Sequence, residues 1–281
     1  MLRSLTLIVL ACGLLFLSAP DVEAAGCRPG AGQVLIPAGV FWMGSDAKER
    51  SLANTLSSPE TIAAEWFSAE TPRYRAESEA FCIDRLLVTQ AQYLVFVARK
   101  RHAPPGISRA DYTRQGFLVH DYAEWIPYLW KRRAPPADRL DHPVVLVSAP
   151  DAEAYCHWRH PAGRLPSELE WEKAARGPDG RIFPWGDSWD PERVNSAARG
   201  PHGTTPVGHY GTGASPFGIL DAVGNVFQWT STRQLFGLRV LKGCAWDDDA
   251  GLCRPAARHG RPEASRHILI GFRCAGPPSD R

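Results

Sequence analysis

The stretch densest in reactive side chains is "LKGCAWDDDAGLCRPAARHG", residues 241–260. Two cysteines, Cys244 and Cys253, enclose three consecutive carboxylates, Asp247, Asp248 and Asp249. A thiolate pair would suit a soft metal; the carboxylates are hard donors that could hold a hard cation or act as a base. The flanking Arg254 and Arg258 favour a third reading, a solvated acidic loop. His259 and His267 follow, but the nine histidines include no His-x-x-x-His pair on a predicted helix. A core or solvent role is therefore expected for them. A second charged pattern is "GRLPSELEWEKAARG", residues 163–177, with Glu168, Glu170 and Glu172. Paired carboxylates can do acid–base work. Here, however, Ser167 and Glu170 have the spacing of a capping box, in which each side chain takes the other's backbone N–H. Trp171, Ala174 and Ala175 share one face, Lys173 and Arg176 come late, and Gly177 closes the helix. The glutamates are expected to serve the helix start and to face solvent.

The flanking sequence must position these groups. Residues 31–45 alternate apolar and small residues and predict one or two strands. Residues 46–80 are polar and irregular and predict a long loop or a small helical insert. From Phe81 a short strand gives way to a helix capped by Thr89, with Tyr93, Phe96 and Val97 on one face. Residues 101–142 are rich in Arg, Pro and aromatics and predict an elaborated surface segment. Within it "DYAEWIPYLW" (121–130) carries Trp125, Tyr128 and Trp130, either as a ligand surface or, the favoured reading, as a cover over the core. Val144, Val145 and Val147 predict a strand. Ser148 then caps a helix carrying Ala152, Tyr155, Cys156 and Arg159.

The chain has 281 residues, with 25 Gly, 24 Pro, 10 Trp and a formal net charge of +2. So small a charge gives no field to gather a polyanion, which argues against nucleic acid as a partner. Residues 1–24 read as a signal peptide: Arg3, an apolar run from Leu5 to Leu17 too short to cross a bilayer, then small residues before Ala25. The alternative is lipid attachment at Cys27 within Ala25-Gly26-Cys27, the less favoured reading. No other transmembrane candidate is visible. Residues 25–281 read as one domain. It keeps six cysteines, Cys27, Cys82, Cys156, Cys244, Cys253 and Cys274. An even number in an exported chain implies disulfides, with the pairing left open.

Six motifs in order resemble one family: "IPAGVFWMGSD" (36–46), "FCIDRLLVTQAQYLVFV" (81–97), "AYCHWRHPAGRLPSELEWEKAARG" (154–177), "FPWGD" (183–187), "SPFGILDAVGNVFQWT" (215–230) and "IGFRCA" (270–275). The chain resembles the formylglycine-generating enzymes, or sulfatase-modifying factors. That resemblance implies an α+β, C-type-lectin-like fold, loop-rich with few regular elements. The family's enzymes oxidise a sulfatase cysteine to formylglycine with oxygen and copper(I) held by two thiolates. Counting along the matching loop, the two copper cysteines fall on Asp247 and Ala250. The resemblance therefore implies loss of copper and of the oxidase chemistry. It also implies a Cys156–Cys274 disulfide, after which Cys244 could close its loop with Cys253 and Cys27 pair with Cys82. A further family bridge would need cysteines at Ala175 and Pro255. Calcium is implied at Asp221, Gly224, Val226 and Gln228, weakened because Gln stands where Glu is usual. At a second family ion position Asn195 is present, and Arg199 would replace the cation.

Three functions follow. The first is an exported non-oxidase module binding an unidentified protein, peptide or glycan, or serving as a structural accessory. The second is an enzyme of the family with other chemistry. The third is a true oxidase in which Cys244 and Cys253 stay reduced and hold copper, although their spacing exceeds the family's.

Overall fold

The computed structural model describes Cys27, residues 32–116 and residues 119–278. The leader reading of residues 1–24 lies outside the described residues. Among the described residues nine strands form three small sheets. Strands β1 (Gln33–Ile36), β4 (Phe81–Asp84) and β9 (Ala275–Gly276) make one antiparallel sheet in the order β1-β4-β9. β2 (Gly39–Met43) pairs with β3 (Tyr74–Ser78). The third sheet has the order β7-β6-β5-β8, from β5 (Phe227–Arg233), β6 (Leu238–Lys242), β7 (Arg258–Pro262) and β8 (Ile270–Gly271), with β8 parallel to β5. Helices α1 (Ala47–Thr55) and α2 (Pro59–Ala63) fill the polar segment between β2 and β3. This region is a helical insert ending in a strand. Helix α3 (Gln90–Lys100) follows β4; α4 (Arg109–Gln115) and α5 (Tyr122–Trp125) lie in the aromatic segment; α6 (Ala149–Arg159) and α7 (Glu168–Arg176) precede the third sheet.

Local sequence explains the helix starts. Thr89, Ser148 and Ser167 each form a full capping box with the residue three positions on, satisfying N–H groups that a helix leaves open. The run 144–147 departs from expectation. It is fully buried but is not a strand, because Leu146 takes a left-handed conformation (φ +61°). That reversal breaks the alternation a strand needs. The Leu146 N–H then donates to the His267 carbonyl, and its own carbonyl accepts from Gly106 and Arg266.

Two apolar clusters form the core. One gathers α3, α6 and the third sheet around Tyr93, Tyr155, Trp229 and Phe272; the other gathers β1, β4 and α7 around Phe81 and Trp171. The segment 101–142 contributes to the first: Trp125 is fully buried and Tyr128 nearly so. Within segment 121–130, Trp125 and Tyr128 thus cover the core, as the favoured reading had it, while Glu124, Ile126 and Pro127 stay exposed.

Helix α7 corrects a second expectation, since Glu168 and Glu172 do not face solvent. Glu172 accepts from the Gly44 N–H (2.7 Å) and pairs with Lys242 (2.9 Å). Glu168 receives both guanidinium arms of Arg258 at 2.8 Å. Lys173 donates to the Pro37 and Gly39 carbonyls, and Arg176 to the Gly44 carbonyl and Glu49. Charges this deep persist because each is hydrogen-bonded, the glutamates and Arg176 to opposite charges and Lys173 to two carbonyls and the Ser78 hydroxyl. The partners lie far off in sequence, so α7 ties the β2–β3 hairpin to the third sheet.

Candidate functional site

Gly243 turns the chain out of β6 with φ +77°, and a Cβ there would lie 3.0 Å from the Ala222 carbonyl oxygen. The loop that follows is closed by a disulfide between Cys244 and Cys253, both fully buried. Cys156 is bonded to Cys274 and Cys27 to Cys82.

Within the closed loop the three aspartates point three ways. Asp249 turns toward the helical insert and accepts from the Ser58 N–H (2.8 Å) and the Thr61 hydroxyl (2.6 Å). Burial works to raise its pKa, but these donors outweigh it and the net shift is downward. Asp248 folds back on its own turn and accepts from the Ala245 N–H at 2.7 Å. Burial, reinforced by the neighbouring Asp247, raises its pKa well above the usual carboxylate range. Asp247 faces the aromatic segment, where its Oδ2 lies 2.9 Å from His120 Nε2. The carboxylates do not converge, and no group of three or more metal-ligating side chains exists among the described residues. They are half-buried and each is hydrogen-bonded, not a solvated loop.

The sequence reading missed His120. Its backbone carbonyl is pinned by two core donors, the Tyr112 hydroxyl (2.7 Å) from α4 and the Trp125 indole (3.1 Å) from α5. Its ring lies against Trp246, centroids 4.8 Å apart and the planes tilted by 35°. Nε2 meets Asp247, and Nδ1 meets Glu124 Oε2 at 3.1 Å. Only the imidazolium can donate from both nitrogens. The bond to Asp247, outweighing burial, moves the histidine's pKa up. His120 and Glu124 are four apart, the spacing of neighbours on a helical turn. Nothing local announces Asp247, which lies 127 residues away.

His259, on β7 beyond the loop, has the opposite setting. Its ring stacks on Trp66 (4.4 Å) and lies against Phe227 (6.0 Å), and its Nε2 has no hydrogen-bond partner among the described residues. Burial, with the Arg261 charge beside it, pushes its pKa down to about 3. His267 is fully buried, packs edge-on against Trp125 and accepts the Leu269 N–H. Arg254, expected beside a solvated loop, is fully buried and pairs with Glu49 and Glu70.

The donor set does not fit copper(I). The positions counted as the copper pair hold Asp247, engaged with His120, and the methyl group of Ala250; the two nearby sulfurs are bonded to each other. A soft cation has no thiolate here. Calcium fares no better at Asp221, Gly224, Val226 and Gln228. The Gln228 amide oxygen accepts from the Trp171 indole and Arg273 Nε, both at 2.7 Å. Two obligate donors fix that oxygen, so the amide nitrogen faces the Asp221 and Ala222 carbonyls. Arg273 donates to the Leu220 and Asp221 carbonyls as well, and the Asp221 carboxylate takes the Gly208 N–H. The Gly224 carbonyl already accepts from the Val226 N–H. N–H donors and a guanidinium thus engage the Gln228, Gly224 and Asp221 Oδ2 oxygens an ion would need. At the second ion position Arg199 does not replace a cation. It is exposed and pairs with Glu192, seven residues earlier, while Asn195 donates to the Gly203 carbonyl.

With the fold and loop in view, the chain belongs to the sulfatase-modifying factor enzyme 1-like domain family, whose match spans residues 18–277. Among curated proteins it is 30% identical over 293 residues to the inactive C-alpha-formylglycine-generating enzyme 2 of Bos taurus, covering 88% of this chain and 90% of that one. It is 30% identical over 282 residues to the formylglycine-generating enzyme of Mycobacterium tuberculosis, covering 76% and 93%. PvdO from Pseudomonas aeruginosa shares the fold, with a TM-score of 0.66 at 22% identity over 87% of this chain and 94% of that one.

Proposed function

We propose that this chain is an exported, non-oxidase member of the family that acts as a binding or structural accessory module. One observation carries the reading: the loop that would hold copper contains a closed disulfide, a methyl group and a carboxylate bonded to histidine. The bovine relative, named as inactive, supports it. Three disulfides suit an oxidising compartment and hence export. No helix among the described residues is long and apolar enough to cross a membrane. The ligand is a protein, peptide or glycan, with nucleic acid disfavoured by the near-neutral charge. Calcium is not required, because the Asp221–Gln228 turn supplies its own donors. The deciding experiment is an anaerobic copper(I) titration of native protein, with a thiol count and incubation with a cysteine-containing sulfatase-type peptide and oxygen. We expect no free thiol in the loop, no tight copper and no aldehyde. Two free sulfurs binding copper, with aldehyde formed, would overturn the reading.

A further inference from the structure

His120 sits in its pocket as a ligand would. Its flat cation packs at a 35° tilt against Trp246 with carboxylates at both ring nitrogens, Asp247 at 2.9 Å and Glu124 at 3.1 Å. The arrangement has two surfaces of origin: Asp247 belongs to the disulfide-closed loop, while His120 and Glu124 belong to the aromatic segment. The fit is incomplete. Asp247 Oδ1 and the Trp246 indole nitrogen, both buried, have no hydrogen-bond partner among the described residues. The Trp246 N–H needs an acceptor, which neither an imidazolium nor a guanidinium carries, so the unmet demand that a cation can fill is the one at Asp247 Oδ1. An imidazolium has one donor to offer Asp247 and can reach only one carboxylate oxygen. A guanidinium is equally flat, stays charged at every physiological pH, and presents a fork that bonds both oxygens of a carboxylate while stacking on an aromatic face.

We propose that the Trp246–Asp247–Glu124 pocket is a binding site for a guanidinium group, and that His120 is its built-in occupant. A guanidinium ligand would displace the His120 ring, take both oxygens of Asp247 and stack on Trp246. The groups facing His120 are Asp247 and Asp248 from the loop and Glu124 from α5. All are acidic, so the displaced imidazolium leaves the Asp247 and Glu124 carboxylates without their cation. Displacement becomes easier as His120 loses its proton, so wild-type protein should bind guanidinium more tightly at alkaline pH. This inference rests on the reading of the chain as a binding module without copper and names the ligand chemistry of that same loop.

The test uses the intact mature protein, methylguanidinium as probe and methylurea as its neutral counterpart. In His120→Gly the occupant is gone, and methylguanidinium should bind saturably by calorimetry and raise the melting temperature. Because the wild-type pocket is seldom vacant, the variant should bind about tenfold more tightly near pH 6, the gap narrowing toward about pH 8.5. Adding Asp247→Asn should abolish binding. A Gly-Arg-Gly peptide that binds more tightly than methylguanidinium would identify a peptide source; a preference for the small cation would identify a free metabolite. Equal binding of methylurea, or no binding to a natively folded His120→Gly, would overturn the proposal. Should that variant not fold, the wild-type His120 ring resonances decide the matter: they shift on addition of methylguanidinium if the ring is displaced, and their constancy at alkaline pH would overturn it. Copper binding would defeat the non-oxidase reading without touching these outcomes, and absent cation binding would defeat this inference alone.

Discussion

Two histidines flank the same loop and are driven in opposite directions. His120 has a carboxylate at each ring nitrogen and a raised pKa, whereas His259 lies against Trp66 and Phe227 with one nitrogen unpaired among the described residues and a pKa of about 3. The ring is the same; the surroundings choose its charge. Desolvation acts on both, and only at His120 do bonded carboxylates overcome it. The lesson concerns pH. Below the unfolded value, near 6.5, the His120 clamp is fully present, and it is lost as pH rises through the raised folded value. His259 has a depressed folded value, so it costs stability as pH falls from about 6.5 toward 3, where only the unfolded chain takes up the proton. The two together set an optimum near neutrality.

The sharpest way to separate the two is to open the loop. Replacing Cys244 and Cys253 by serine should cost about 2–3 kcal/mol in denaturant unfolding, slightly less than a bridge over a longer loop. The same change should lower the His120 pKa, because Asp247 lies inside the opened ring, and leave His259 unmoved in an NMR titration. Trp66→Ala attacks the other side. It should cost about 1–2 kcal/mol of buried aromatic surface and carry the His259 pKa from about 3 toward its ordinary value. Stability below neutral pH should then decline less steeply than in wild type. Asp247→Asn should cost about 1 kcal/mol near pH 5.5 and almost nothing near pH 8.5. An equal loss at both would show that the imidazolium contributes nothing. Glu124→Gln should cost only a few tenths of a kcal/mol, since that side chain is 56% exposed.

What could be read from the sequence was whatever depends on neighbours in the chain. The capping boxes at Thr89, Ser148 and Ser167 are spaced within one helical turn, so their helices were legible. The six ordered motifs carried the fold. Glu168 and Glu172 were misjudged because the charges that make their burial tolerable, Arg258 and Lys242, are supplied by strands 70 or more residues on. The 144–147 run was misjudged because one left-handed residue, Leu146, defeats a pattern otherwise typical of a strand. His120 escaped for the same reason as the glutamates: half of its site belongs to the loop, half to the aromatic segment, and only folding brings them together.

The Cys27–Cys82 bond has a bearing on whether a lipid could be carried at Cys27. A lipid anchor is attached through the sulfur of the first residue after the leader, and at Cys27 that sulfur is already joined to β4. One atom cannot carry both a diacylglycerol and a crosslink. A lipidated form would leave the thiol of Cys82 unpaired in the core, so tethering to a membrane and stapling the N-terminus are mutually exclusive fates of the same residue.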